Sequence, residues 1–221
     1  MNMEAKPVSS NARIAFRCEK CAACCQNLAD PFMLDALDAY RLAKHLREHG
    51  ECIEGTDDVL SRYAEPALVE CYPIFRVKTA GKDAACIFLK DGKCSVYGAR
   101  PQVCRLYPFT VAPGSKGRDF QYLLCTERDH HFGRGSVTVK DWMSENFPKE
   151  AREFSRAQNE WFPRIARGIH ALGDTGRKRA LFRILYYLYY GYDLDKPFLP
   201  QYEANMEELE KALSEERSRG N

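Results

Sequence analysis

Cys18-Glu19-Lys20-Cys21-Ala22-Ala23-Cys24-Cys25 sets the reading of this chain, because it places thiols at i, i+3, i+6 and i+7. Two-residue gaps let tight turns aim successive sulfurs into one concavity and present backbone N–H groups to whatever the sulfurs bind. A run of this kind supplies three ligands of a [4Fe–4S] cube in bacterial ferredoxins, with a fourth cysteine arriving from a distance. Cys24 and Cys25 are neighbours, and adjacent side chains usually diverge. One of them is therefore expected at the main site, while the other serves a second metal, bridges two metals or packs.

Six further cysteines follow, at Cys52, Cys71, Cys86, Cys94, Cys104 and Cys125, making ten in 221 residues. The opening residues carry no apolar secretory core and no run of 18 apolar residues exists, so a cytoplasmic protein is expected. Disulfides are disfavoured there, and a metal is the natural reason for so many thiols. Zinc ribbons bring two C-x2-4-C knuckles together. Here the later cysteines are separated by 7, 9 and 20 residues, which favours an iron–sulfur site and keeps Zn2+ as the alternative. Cys52 and Cys71 have no close cysteine partner and read as small buried apolar residues.

The formal net charge is only +2, from 33 basic and 31 acidic residues. That excludes a general electrostatic grip on nucleic acid. There is no Gly-rich nucleotide fingerprint after a strand, no P-loop, no HExxH and no G-x-S-x-G.

Around the cysteines the elements are short. The tail to Asn11 reads as polar and disordered. Asp35 is a good N-cap for a helix carrying Leu37, Tyr40, Ala43 and Leu46 at helical spacing, with Gly50 as its stop. A second helix is expected from Asp57 to about Glu65. YPIFRVKT and AACIFL read as strands joined by a turn at Ala80–Asp83, and Lys90-Asp91-Gly92-Lys93 as a tight turn delivering Cys94. One or two helical turns are expected within Ser95–Leu106, and a strand at FQYLLC. Past Gly133-Arg134-Gly135 the reading is helical, with Pro163 kinking or breaking a long helix and a further helix starting near Pro200. The expected fold class is α+β. Residues 12–133 form a small irregular cysteine-rich metal-binding domain with short strands, and residues 134–221 an α-helical C-terminal region. LFRILYYLYYGY covers most of a helix circumference, as a core or homodimer-interface helix does.

CEKCAACC, then CIFLKDGKC with its C-x7-C spacing, then Arg100-Pro101-x-x-Cys104-Arg105 and Pro108-Phe109, resembles the YkgJ-type cysteine-cluster family. That family is described as a zinc- or iron-chelating domain with a CxxCxxCC signature, and the resemblance covers about Phe16 to Cys125. It implies metal ligation by Cys18, Cys21, Cys24, Cys25, Cys86, Cys94, Cys104 and Cys125. Arg100 and Arg105 flank Cys104, where guanidinium groups would offset the negative charge of a thiolate-bound cofactor. A flagellin lysine N-methylase shares the signature, so a metal-containing protein methyltransferase stays open beside the leading reading. That reading is a cytoplasmic metal-binding protein with a redox or accessory role and an unidentified protein partner. A structural zinc adaptor is the third. His130 and His131, close after Cys125, offer imidazoles, but eight cysteines suffice and a solvated loop is the expectation there.

Overall fold

Asp35 shows how local chemistry starts an element: its carboxylate accepts the Asp38 N–H at 2.8 Å and caps α1 (Ala36–Glu48), and Gly50, at φ +87°, follows the helix end. The computed structural model describes residues 5–28, 30–115, 120–126 and 128–219. Within them the other helices are α2 (Thr56–Tyr63), α3 (Gln102–Leu106), α4 (Val139–Asn146), α5 (Lys149–Ala171), α6 (Gly173–Leu185) and α7 (Phe198–Arg219). Short strands in small antiparallel sheets complete an α+β fold.

The chain divides into two compact units, each assembled from two segments. The first comprises residues 1–32 and 78–152, the second residues 33–77 and 153–221. Composition marks a join near Gly133, whereas that glycine lies within the strand Phe132–Thr138 of the first unit. The chain there passes close to its partner strand: a Cβ on Gly135, which has φ +64°, would sit 2.9 Å from the Phe16 carbonyl oxygen.

In the first unit, Ala5–Val8 and Phe109–Pro113 flank Phe120–Cys125 in a three-stranded sheet. The N-terminal segment is thus a paired strand from Ala5 onward, not a disordered tail; residues 1–4 lie outside the described set. Its backbone hydrogen bonds do what its polar side chains gave no hint of. Arg13–Phe16 pairs with Phe132–Thr138. Phe16, 1% exposed, is ringed by Tyr107, His131, Phe132 and Trp142 at centroid distances of 5.4–6.1 Å. The Trp142 indole donates to the Leu106 carbonyl at 2.9 Å and ties α4 to α3.

In the second unit, Tyr72–Val77 pairs with Met33–Leu34 and Ala64–Val69. The expected pairing of YPIFRVKT with AACIFL is reduced to Thr79–Ala80 with Ala85–Cys86. Pro66 obscured the strand Ala64–Val69, which hairpins onto Tyr72–Val77 through Glu70 at φ +55°. α5 runs through Pro163 without a break. Phe154, Ala157, Trp161, Ile165 and Ile169 recur every three or four residues and are all buried, so packing along that stripe outweighs the hydrogen bond that proline removes. Of LFRILYYLYYGY, Ile184, Leu188 and Tyr189 are core while Leu181, Phe182 and Tyr186 are exposed, and Tyr186–Tyr190 forms a π-helical turn.

Burial pushes the Asp35 carboxyl up to about 6, against the Asp38 N–H bond and the charge of Arg41. The folded value lies above the unfolded one of about 3.9, so the neutral acid is the form folding favours. Its contribution is full below the unfolded value and is lost as pH rises through about 6. Asp35→Asn keeps a capping oxygen and removes that loss. Relative to wild type it is expected to gain about 1–3 kcal/mol between about pH 4.5 and about pH 7.5 in urea unfolding. An unchanged difference at the two pH values would contradict the assignment.

Candidate metal centre

Left-handed backbone turns shape the cysteine run. Lys20 (φ +53°) and Ala22 (φ +59°) adopt a conformation that costs non-glycine residues about 1–2 kcal/mol each. Ala22 bends the chain sharply, and the Cys25 N–H returns to its carbonyl at 2.8 Å to close one 3-10 turn, Ala23–Cys25. Cys21 therefore lies before the bend, Cys24 and Cys25 after it. Beyond the turn, Asn27 N–H and Leu28 N–H donate to the carbonyls of Asp83 and Ala84 at 2.8 and 3.1 Å. Those bonds draw the end of the run toward Cys86.

The sulfurs of Cys24 and Cys25 are 3.9 Å apart, so these neighbours do not diverge as adjacent side chains usually do. The contact with Cys25 holds the Cys24 thiol down to about 6, with help from Arg100 and Arg128, and the same contact pushes Cys25 up. Other thiols act on both. Cys25 is raised further by Cys86 and Cys104, and Cys24 in turn raises Cys86 and Cys94. Burial is the main cause of the rise at Cys86, which is 6% exposed, and at Cys94. Each of those two sulfurs also accepts the N–H two residues further on, from Phe88 and Val96. Cys94 is delivered by the expected turn: Asp91 (φ +49°) and Gly92 (φ +70°) link the two-residue strands Leu89–Lys90 and Lys93–Cys94.

Arg100 stacks its guanidinium 3.8 Å above the Tyr97 ring and bonds the Tyr97 carbonyl, which holds its charge near Cys24 and Cys94. Arg105 donates to the Gly98 carbonyl at 3.1 Å and clamps the same turn. A second cation near Cys24 is Arg128, which donates to the Gln26 carbonyl at 3.2 Å. Sequence reading passed over it, since nothing in its neighbourhood marks it.

Cys21 has different company. Its sulfur is 3.1 Å from His131 Nε2 and 3.5 Å from His130 Nε2, and the three ligand atoms all lie within 4.8 Å of one another. The expected solvated loop is instead a short 3-10 turn, Asp129–His131, with His131 only 3% exposed. Phe16 and Tyr107 bury it, and their spacing to the histidine is not visible in the chain order. Burial pushes the His131 imidazolium down, and His130 and Arg128 add to this.

Cys18 is exposed just beyond the strand Arg13–Phe16, and Cys125 ends the strand Phe120–Cys125 with its N–H on the Pro108 carbonyl. Neither belongs to the Cys21–His130–His131 group. All eight signature cysteines fall in the first unit, and Cys52 and Cys71 in the second. Those two are not buried packing residues: Cys52 is exposed, and Cys71 is half-buried with its sulfur 3.8 Å from His170 Nδ1.

A family model described as "CxxCxxCC: Putative zinc- or iron-chelating domain" matches residues 17–132. The chain is 35% identical over 100 residues to an uncharacterized protein of Methanocaldococcus jannaschii, MJ0661, the match covering 44% of this chain and 47% of that protein. The chain thus spans about half the length of the curated relative it matches. No solved structure matches.

Proposed function

The chain belongs to the CxxCxxCC family of zinc- or iron-chelating domains, and from that premise we propose that its thiolate set holds an iron–sulfur cluster of the [4Fe–4S] type. The ligands would come from Cys86, Cys94, Cys104 and the Cys24–Cys25 pair. One observation carries the reading: the Cys24 and Cys25 sulfurs sit 3.9 Å apart at the end of a run that Asn27 and Leu28 tie to Asp83 and Ala84, just before Cys86. The donors are all sulfur, which suits such a cluster. Four thiolates on the oxidised cube carry a net charge of about −2, which two arginines would offset. When bound, the cluster would supply one-electron redox chemistry.

The chain's own contribution would be to tune that chemistry. Phe88 and Val96 N–H groups bond the sulfurs of Cys86 and Cys94, and the buried side chains of Phe88 and Val96 limit water nearby. A reducing compartment, the cytoplasm, suits ten free cysteines.

Protein purified without oxygen is expected to carry about four iron and four acid-labile sulfide per chain. It should be brown, with visible absorption that bleaches on reduction. A colourless protein with zinc and no sulfide would replace this reading with a second one. That reading, a structural zinc ion, draws on the 3.9 Å between Cys24 and Cys25, close to the roughly 3.8 Å expected for two thiolates on one tetrahedral zinc.

A further inference from the structure

We propose that Cys21, His130 and His131 form a second metal site, separate from the thiolate set, which binds one Zn2+ through a thiolate and two imidazoles. This site does not depend on what the thiolate set holds.

The donors point to the ion. Two imidazoles and one thiolate form a mixed set that suits zinc, whereas iron–sulfur clusters of the cubane type prefer thiolates throughout. The spacing fits as well. Tetrahedral zinc with ordinary bond lengths puts sulfur and nitrogen ligands about 3.6 Å apart. The observed separations from the Cys21 sulfur are 3.5 Å to His130 and 3.1 Å to His131.

His131 is built for the role. Its Nδ1 lies 3.1 Å from the Tyr107 hydroxyl, and the Phe16 ring meets it edge-on. Its carbonyl accepts the Arg17 N–H at 3.2 Å, which fixes the backbone beneath it. With Nδ1–H donating to Tyr107, the Nε2 lone pair is left facing Cys21. An oriented, hydrogen-bonded second nitrogen is the usual support of a metal-binding histidine. Cys24 and Cys25 are not part of this ligand group, and the bend at Ala22 lies between them and Cys21 in the chain. Because Cys21 and His130 are exposed, the fourth position opens to solvent and would take water, as in zinc sites with three protein ligands.

The test uses the full chain, reduced and anaerobic, titrated with Zn2+ alone and with Co2+ alone, with iron and zinc counted on each protein. His130 is exposed, so His130→Gln should keep the fold, checked by circular dichroism. It is expected to bind about one zinc fewer per chain than wild type, with iron unchanged. His130→Cys should restore that zinc. Tyr107→Phe should weaken it about tenfold or more. In wild type, cobalt should give a tetrahedral spectrum with a sulfur-to-metal charge-transfer band, absent from His130→Gln.

Equal zinc counts and equal cobalt spectra in wild type and His130→Gln would overturn the site. So would loss of iron together with zinc in His130→Gln, which would place these residues in the thiolate centre. A wild type without iron or sulfide whose zinc still falls in His130→Gln supports this site and overturns the cluster proposal instead.

Discussion

Removing the metal with a strong chelator is expected to raise amide hydrogen exchange across residues 18–28 and 83–105 by several orders of magnitude, while α1, α5 and α7 keep their protection. The ligand-bearing stretches have little regular secondary structure to hold them. Leu89–Lys90 pairs with Lys93–Cys94 over only two residues, and Thr79–Ala80 with Ala85–Cys86 likewise. Lys20, Ala22, Asn27, Ala84 and Asp91 all sit at positive φ, a conformational cost that something must offset. Bound structural metal contributes about 10–16 kcal/mol in small thiolate domains, as much as the whole stability of an ordinary domain. The second unit has its own apolar core, in which Phe154, Phe198 and Tyr202 pack at ring distances of 4.9–5.9 Å. Equal protection with and without metal would show that side-chain packing alone supports the ligand loops.

Phe16→Ala is expected to destabilise the first unit by about 3–5 kcal/mol, the usual cost of emptying a buried phenylalanine site. Phe16 touches four aromatic rings from three later stretches of chain, so little around it can relax into the cavity. Phe16→Leu fills most of the space and should cost clearly less, about 1.5 kcal/mol. Denaturant-dependent hydrogen exchange in Arg13–Phe16 and Phe132–Thr138 would measure both. A Phe16→Ala loss below about 1 kcal/mol would mean that the aromatic cluster is not the core of this unit. The same substitution should loosen His131, whose ring leans on Phe16.

Local signals read well in this chain. The Asp35 cap and the Asp91-Gly92 turn depend on residues within four positions of each other, and both stand where the sequence puts them. The strand Ala64–Val69 was hidden for the opposite reason. Its stability comes from Tyr72–Val77 across a hairpin, and Pro66 speaks against a strand when read alone. The paired segment Ala5–Val8 depends on Phe120–Cys125, more than a hundred residues away.

The metal-binding character of the protein is determined by the sequence itself, because two-residue gaps at C-x2-C-x2-C-C let successive sulfurs aim into one concavity. How those thiols are divided was decided only by the tertiary structure. The bend at Ala22 sends Cys24 and Cys25 toward Cys86, Cys94 and Cys104. Cys21 instead meets His130 and His131, 109 and 110 residues along the chain. No periodicity encodes a contact at that separation. It exists because Phe16 and Tyr107 pack against His131, and a side chain's ligand partners follow from where the core leaves it.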